Sequence, residues 1–282
     1  MPKLVKTDYH LHPNYSFDAT LESIDDYCRR AIELGLEQIC FTPHYTTIPS
    51  IIDKYGFVRI NGEKFPVTGD WLGGYINEVR QADKKYSAKG LRAFAGLEID
   101  YCPLIHNDIK RKLTEEYDID YMLGSIHVID NGLDIMVPDD AEEIFRNMRP
   151  DDFFAQYFES VETTIESGLF KAIAHLEGYR RFGSRYNAAY SPDGPIPKNY
   201  FERVFKKMAA RSMALEINLS LFREGQNITN PTDDVLKIAH DCGIRNIAIG
   251  SDAHTVKHMA LSMQNALDAC AKIGFDTYTL ER

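Results

Sequence analysis

Short apolar runs alternate with longer amphipathic segments along the whole chain. The short runs are rich in Val, Ile, Leu, Phe and Tyr, which is typical of buried strands. In the longer segments apolar residues recur every three or four positions, which predicts helices that bury one face. The predicted strands cover 3–9, 37–44, 91–100, 118–128, 170–178, 213–220 and 245–254. The predicted helices cover 20–34, 70–88, 106–117, 139–167, 197–211, 230–241 and 256–273.

Seven strands, each followed by a helix, predict an α/β architecture with a parallel sheet. The first helix is expected to start with Thr20 as its N-cap and to end at Gly35. No repeat, linker or low-complexity tract divides the sequence, so a single domain over 1–282 is predicted. Three longer connections are rich in Gly, Pro, Asn and Asp, and such loops often cover binding sites. They are 45–69, 128–140 and 179–197.

Polar side chains collect at the carboxyl ends of the predicted strands. His10 and His12 are one alternation step apart and therefore point to the same side of their strand. In a parallel barrel these strand ends open onto one face, where active sites are built. Imidazole and carboxylate groups together suit zinc, iron or manganese, and this number of groups can hold two or three metal ions. The strand-end residues are His10, His12, His44, Glu98, His127, His175, Asp252 and His254.

Composition narrows the choice of protein class. The 282 residues are 44% hydrophobic and 26% charged, as in a globular enzyme, and the net charge of −10 argues against a nucleic-acid partner. No apolar run approaches the length of a membrane span, and the first ten residues lack the apolar core of a signal peptide, so a cytoplasmic protein is expected. Scattered cysteines without a CxxC pattern predict free thiols. They are Cys28, Cys40, Cys102, Cys242 and Cys270.

Seven short motifs, in order along the chain, resemble those of the PHP (polymerase and histidinol phosphatase) family. Length, the long loop after the third motif and "EIN" at 216–218 make the chain most similar to the monofunctional histidinol-phosphate phosphatases of that family. The motifs are "HLH" at 10–12, "SFD" at 16–18, "TPH" at 42–44, "GLEID" at 96–100, "GSIH" at 124–127, "AHLE" at 174–177 and "GSDAH" at 250–254.

The resemblance implies a distorted seven-stranded parallel (β/α)7 TIM-like barrel with a trinuclear metal cluster. Glu98 would bridge two of the metals, and Asp18 would reach a metal next to the one held by the first two histidines. The acidic ligand at position 18 favours iron or manganese over zinc. The implied ligand sets are His10, His12, Glu98 and Asp252 for one metal, Asp18, His44 and His254 for a second, and Glu98, His127 and His175 for a third.

The implied activity is hydrolysis of a small phosphate ester, L-histidinol phosphate, in histidine biosynthesis. Metal coordination lowers the pKa of water toward about 7, so a metal-bridging hydroxide is the expected nucleophile. Asp252 or His254 would relay a proton to the leaving group. Neither the G-x-S-x-G motif of serine hydrolases nor the P-loop pattern occurs in the sequence.

The phosphate group needs cations, which the long loops offer. Arg180 and Arg181 follow His175 closely, and arginine matches phosphate oxygens two at a time. The cationic end of histidinol phosphate would meet Glu177, Asp100 or Asn218. The aromatic residues expected to form the pocket wall are Tyr45, Phe65, Trp71 and Tyr101. The predicted substrate-binding residues are Arg180, Arg181, Arg223, Asn218 and Lys64.

Three other functions fit the same residues. A PHP phosphoesterase can act on phosphotyrosine proteins or nucleotides, and a related barrel, such as an amidohydrolase, can use a similar cluster. A non-catalytic metal-binding barrel is the third possibility, although every ligand position is filled. The sequence leaves the oligomeric state open.

Overall fold

The computed structural model describes residues 2–129, 132–223 and 225–282. Twelve strands and eleven α-helices occur in this part of the chain. The strands are β1 (Thr7–Leu11), β2 (Gln38–Phe41), β3 (Phe57–Ile60), β4 (Glu63–Pro66), β5 (Arg92–Asp100), β6 (Tyr121–Ser125), β7 (Val128–Ile129), β8 (Leu133–Asp134), β9 (Ala172–Ile173), β10 (Ala214–Asn218), β11 (Asn246–Gly250) and β12 (Asp276–Thr277). The helices are α1 (Ile24–Leu34), α2 (Ile52–Tyr55), α3 (Leu72–Tyr86), α4 (His106–Lys110), α5 (Pro138–Asn147), α6 (Pro150–Glu166), α7 (Arg180–Gly183), α8 (Lys198–Ala210), α9 (Ser220–Arg223), α10 (Asp233–Asp241) and α11 (Met263–Ile273).

The central sheet is parallel and nearly closed. Its strand order is β1-β2-β5-β6-β9-β10-β11-β12. Beyond the end of β11, the amide of His12 donates to the carbonyl of Ala253 at 2.9 Å, and the amide of Ala253 donates to the carbonyl of His10 at 3.3 Å. The predicted seven-stranded parallel barrel is therefore confirmed, and the structure adds β12 as a short eighth strand.

The first two long loops each carry a β-hairpin that the periodicity analysis did not predict. In 45–69, β3 and β4 pair around Asn61 and Gly62, which both have positive φ values, of 53° and 85°. Asn-Gly between two strands is a strong hairpin signal, because both residues tolerate this backbone conformation. In 128–140, β7 pairs with β8. These hairpins bring loop residues over the carboxyl end of the barrel.

Several helices begin at other residues than predicted, because capping side chains and prolines determine where a helix starts. The N-cap of α1 is Ser23 rather than Thr20, because Ser23 and Asp26 form a reciprocal capping box. Gly35 ends this helix with a φ of 68°, as predicted. The single helix predicted over 139–167 is two helices, since Pro150 requires an extended conformation at Arg149. The last helix, α11, begins only at Met263.

Small residues on or next to three strands, β9, β10 and β11, leave room for aromatic side chains in a compact apolar cluster. The cluster combines alanines with Tyr9, Phe94 and Tyr121, and Leu280 from the C-terminal segment joins it through a hydrogen bond from its amide to the Tyr9 hydroxyl. Its alanines are Ala172, Ala174, Ala214 and Ala248. A larger core lies between strands and helices. In the described part of the chain, no helix is long and apolar enough to cross a lipid bilayer.

Candidate metal centre

The nine predicted metal ligands lie together at the carboxyl end of the barrel. Strand ends supply most of them, and Asp18 arrives from the segment between β1 and α1. Direct contacts between carboxylate and imidazole atoms link all nine into one cluster. They are His10, His12, Asp18, His44, Glu98, His127, His175, Asp252 and His254.

The deepest group contains His10, His12, Glu98 and Asp252. Glu98 Oε2 lies 3.2 Å from His10 Nε2 and 3.4 Å from His12 Nε2. Asp252 Oδ1 lies 3.8 Å and 3.4 Å from the same two nitrogens. Ligand atoms at about 2.1 Å from a tetrahedral zinc lie about 3.4 Å apart, so each of these nitrogen–oxygen pairs has roughly the spacing of neighbouring ligand atoms.

Three of these atoms have no hydrogen-bond partner among the described residues. His10 Nε2, His12 Nε2 and Glu98 Oε2 are buried, yet none of them makes a hydrogen bond there. A buried polar atom without a partner costs about 1–3 kcal/mol, so three unpaired atoms at one point require compensation. A divalent cation provides it, and the residues present therefore fit a metal ion.

The second oxygen of Glu98 serves another group. Glu98 Oε1 lies 2.9 Å from His175 Nε2 and 3.3 Å from His127 Nε2, and the two nitrogens are 3.2 Å apart. This triangle also has the spacing of metal ligands. One carboxylate thus faces two groups of histidines, the arrangement expected of a bridging ligand.

Asp18 joins the third group. Its Oδ2 lies 2.9 Å from His254 Nε2 and 3.3 Å from His44 Nε2. The same three residues, together with His12, form a cluster whose ligand atoms all lie within 4.8 Å of one another. The Asp18 carboxylate therefore faces the neighbouring histidines, in the position that the sequence resemblance implies.

Backbone strain accompanies two of the ligands. His175 has a φ of 26° and Asp252 a φ of 55°, in a region that residues with a Cβ atom rarely adopt. The amide of His175 is held by Glu216 Oε2 at 2.7 Å. Strain of this kind persists where the surrounding structure imposes it and is common at functional sites.

A second layer of polar groups orients three of the histidines. Glu216 Oε1 accepts from His10 Nδ1 at 2.7 Å, and Asp100 Oδ2 accepts from His127 Nδ1 at 2.9 Å. Ser16 Oγ lies 2.9 Å from Nδ1 of a third histidine, His12. Such contacts fix the ring tautomer and leave Nε2 free to bind metal.

The sequence interpretation overlooked this layer. Glu216 belongs to the "EIN" motif, and its carboxylate near the end of a predicted strand is the signal that identifies it as part of the site. Asp100 was expected to meet the substrate, but both of its oxygens accept from His127, one from the backbone amide and one from the ring. Glu177, a second predicted acceptor, is buried and bound to Arg180 and to the amide of Thr232.

Burial and opposite charges act against each other on the imidazoles. Burial disfavours the protonated form of His44, yet Asp18 and Glu98 raise its pKa to about 9. Burial also opposes protonation of His127, where Asp100 and Glu98 raise the pKa to about 10. Protons thus occupy positions that a metal cation takes over on binding.

The pKa values of His12 and Asp252 are lowered, in contrast to those of His44 and His127. Burial and the nearby His254 and His44 lower the pKa of His12 to about 3. Burial raises the pKa of Asp252, but the charge of His10 and the close approach of His12 outweigh it and hold this pKa well below its usual range. An ionised Asp252 beside a neutral His12 is the state that metal ligation requires.

A cavity of about 230 Å³ opens above the cluster. Its apolar wall contains Tyr55 and Met136 from the long loops and Phe17 from the segment between β1 and α1. The predicted wall residues were wrong: none of the four aromatics proposed from the sequence lines the cavity, and two of them, Tyr45 and Trp71, are buried in the core. The cavity is lined by Phe17, Asp18, His44, Thr46, Ile51, Tyr55, Glu98, Asp100, His127, Asp134, Met136, Val137, His175, Arg181, Asp252 and His254.

The two adjacent arginines of α7 have different surroundings. Arg180 is buried and pairs with Glu177 at 2.5–2.7 Å, and it also donates to the carbonyl groups of Tyr190 and Ser191. Its predicted role in phosphate binding is therefore replaced by a structural one, in which it anchors the 179–197 loop. Arg181 lines the cavity.

The other predicted substrate contacts lie outside the cavity lining. Asn218 is fully buried, and its Nδ2 lies 3.2 Å from Glu216 Oε2 and 3.4 Å from Asp252 Oδ2, so it positions carboxylates of the cluster. Arg223 donates to the carbonyl of Ser251 at 2.5 Å, beside Asp252. Lys64 is exposed on β4, with its ammonium group 4.2 Å from the centre of the Phe57 ring.

Known proteins resemble this chain over most of its length. A probable histidinol-phosphatase of Deinococcus radiodurans is 27% identical over 273 residues, which cover 96% of this chain and 95% of the relative. A probable histidinol-phosphatase of Thermotoga maritima is 27% identical over 270 residues, with coverages of 95% and 93%. The crystal structure of histidinol phosphate phosphatase from Lactococcus lactis, complexed with zinc, L-histidinol and phosphate, has the same fold, with a TM-score of 0.75 at 21% identity over 99% of this chain and 100% of that one.

The family profile gives the broadest match. The profile of the PHP domain aligns with residues 8–220, which include seven of the nine clustered ligands and most of the barrel strands. Because this match extends over well more than half of the sequence, the chain belongs to the PHP domain family.

Proposed function

We propose that this protein is a metal-dependent phosphomonoesterase that hydrolyses L-histidinol phosphate to L-histidinol and phosphate, a step of histidine biosynthesis. The observation that carries the proposal is the convergence of His10 Nε2, His12 Nε2 and Glu98 Oε2, buried and without hydrogen bonds among the described residues, beside the Asp252 carboxylate. Relatives named histidinol-phosphatase match over nearly their full length and support the substrate. Five free cysteines favour a reducing, cytoplasmic location.

The cluster offers ligands for two to three divalent ions, of zinc, iron or manganese. Glu98 would be shared, with His10, His12 and Asp252 around one ion and His127 and His175 around another. The third ion would be held by Asp18, His44 and His254. When bound, such ions lower the pKa of coordinated water and neutralise the charge on phosphoryl oxygens.

The chain's own residues bind the ester and move the proton. Arg181 lines the cavity and presents a cation that matches phosphate oxygens. No serine or cysteine lines the cavity within the described residues, which favours attack by water over a covalent intermediate.

Of the two residues proposed for proton transfer, Asp252 is the better placed. Both ring nitrogens of His254 have polar neighbours, Asp18 Oδ2 at 2.9 Å and the carbonyl of Asp252 at 3.0 Å. Asp252 Oδ2 has only a long contact of 3.4 Å to Asn218 among the described residues. The Oδ2 atom of Asp252, on the cavity lining, is therefore the oxygen placed to accept a proton from the attacking water and pass it to the leaving oxygen.

The test is a phosphatase assay on the metal-reconstituted protein with three classes of ester. Histidinol phosphate should have the highest kcat/KM, ahead of phosphotyrosine and mononucleotides. The His10→Ala and Asp252→Ala variants should lose turnover, because each removes a metal-facing group. His240→Ala, at a histidine of α10 that packs against Phe275, serves as the matched control and should keep full activity.

Two outcomes would contradict the proposal in different ways. A flat profile, or a preference for nucleotides, would refute the histidinol assignment and leave the phosphoesterase intact. Full activity of His10→Ala with any ester would refute the metal-cluster mechanism itself.

A further inference from the structure

Five carboxylates line the cavity, and four of them contact histidines of the cluster. Asp18, Glu98 and Asp252 lie against proposed ligands, and Asp100 is bound to His127. Asp134 is the exception. It belongs to none of the groups of ligand atoms close enough to share a metal ion, and its carboxylate forms no ion pair with any described residue.

The backbone holds Asp134 in a fixed position beside the cluster. Its Oδ1 accepts from the amide of Met136 at 2.7 Å, and its own amide donates to Asp140 Oδ2 at 3.2 Å. The amide of Ile135, the next residue, donates to the carbonyl of His127 at 2.8 Å. These bonds tie the β7–β8 hairpin to a proposed ligand and leave Oδ2 of Asp134 without a hydrogen bond among the described residues.

Asp140 also connects this hairpin to the opposite loop. Its Oδ2 lies 3.3 Å from the ammonium group of Lys54 in α2, the helix that ends at Tyr55. The two loops that form the outer cavity wall therefore meet around Asp134. These two loops also contribute apolar side chains to the cavity lining, namely Ile51, Tyr55, Met136 and Val137, and Phe17 adds another from the segment between β1 and α1.

We propose that Asp134 is a specificity-determining residue that binds the ammonium group of the substrate. This inference rests on the proposed function, since histidinol phosphate carries its phosphate at one end and an ammonium and an imidazole group at the other. Phosphate oriented toward the cluster and Arg181 leaves the cationic end toward the outer wall. There the Oδ2 atom of Asp134 offers a charged acceptor, and the apolar wall suits the imidazole ring.

The experiment compares two esters and two variants. The esters are L-histidinol phosphate and the same imidazole phosphate ester without the amino group. Asp134→Asn keeps an oxygen for the amide of Met136 but removes the charge, and Asp139→Asn changes an exposed carboxylate in the first turn of α5 as the control. The ratio of kcat/KM for the amino ester to that for the deaminated ester should fall about 10- to 100-fold in Asp134→Asn, as expected for a charged hydrogen bond. Asp139→Asn should keep the wild-type ratio.

An unchanged ratio in Asp134→Asn, or an equal loss for both esters, would overturn the proposal, because the residue would then support the loop or the cluster and not the amine. If the wild-type protein hydrolysed neither ester, the proposed function would fail separately. The binding of L-histidinol to the metal-loaded protein, measured by calorimetry, would then test Asp134 directly: a loss of about 10-fold or more in Asp134→Asn supports the inference, and equal binding refutes it.

Discussion

Glu216 Oε1 lies 2.7 Å from Nδ1 of His10, at a depth where both side chains are excluded from solvent. This contact fixes the proton of His10 on Nδ1 and directs Nε2 toward Glu98 and Asp252. The other oxygen of Glu216 holds the strained backbone of His175. A residue without direct access to the cavity thus aligns two ligands of different groups.

Replacing Glu216 with Gln should weaken metal binding more than it weakens the fold. The amide can satisfy only one of the two donors, from His10 Nδ1 and the His175 amide, and it presents an NH2 group to the other. We expect the dissociation constant for the metal to rise about 10- to 100-fold, measured by competition with a chromophoric chelator. Glu115→Gln, at an exposed position, should leave it unchanged, and equal affinities in both variants would contradict the role of Glu216.

Asp18→Ala should lower the metal content without abolishing it. The variant removes the carboxylate between His44 and His254 but leaves the group around His10 and His12 intact. We expect roughly one metal ion fewer per chain after dialysis, measured by plasma mass spectrometry. Asp53→Ala, an exposed carboxylate of α2, is the control. Loss of all metal from Asp18→Ala would show that the groups do not bind separately.

Metal loading should release protons, and more metal should bind as the pH rises. The pKa of His44 is raised to about 9 and that of His127 to about 10, above the unfolded value near 6.5. Their protonation therefore stabilises the metal-free fold fully below pH 6.5, and this contribution is lost as the pH rises through 9 and 10. Ligation needs neutral imidazole, so metal affinity should increase across the same window.

Calorimetry at about pH 7.5, near neutrality, detects this release directly. The apparent binding enthalpy should change between two buffers with different enthalpies of protonation. Urea unfolding of the chelator-treated protein should show decreasing stability from pH 6.5 to 9, the range between the ordinary and the raised pKa of His44. Identical enthalpies in the two buffers would refute the assignment of protons to these imidazoles.

Arg180→Met should destabilise the protein. The change leaves Glu177 buried without its cation and removes the donors to the carbonyl groups of Tyr190 and Ser191. Loss of one partner of a buried pair costs about 3–5 kcal/mol, which chemical denaturation measures as a lower free energy of unfolding.

Arg181→Met is the matched comparison to this variant. It should raise KM for the phosphate ester more than Arg180→Met does, because Arg181 and not Arg180 lines the cavity. The reverse pattern, with a stable Arg180→Met protein and a raised KM, would return the phosphate-binding role to Arg180.

Sequence periodicity predicted the strands well because a parallel barrel buries each of them in a short apolar run. It missed β12, since two residues cannot display a period, and it missed the β3–β4 hairpin although the Asn61–Gly62 turn signals it. The periodicity predicts α5 and α6 as a single helix because both are amphipathic and the break between them lies at Pro150. The single-domain organisation stays a prediction.

The cluster was predictable because its ligands sit at strand ends, where topology alone brings them together. The wall of the cavity could not be predicted from the sequence, since the positions of loop side chains such as Tyr55 and Asp134 depend on tertiary packing. The neighbours Arg180 and Arg181 show the limit most clearly. Successive residues of a helical turn point about 100° apart, so one is buried and the other reaches the cavity, and spacing from His175 could not distinguish them.

The barrel closes where Ala253 forms hydrogen bonds with the backbone of His10 and His12, and this closure links metal binding to the stability of the barrel. Ligands of the deepest group lie on both sides of it, His10 and His12 on the first strand and Asp252 after β11. A metal ion bound at that point would hold β1 and the segment after β11 together. Removal of the metal should therefore open the barrel first between β1 and the segment after β11. Hydrogen exchange should then be faster at the amides of His12 and Ala253 than at those of the β5–β6 ladder.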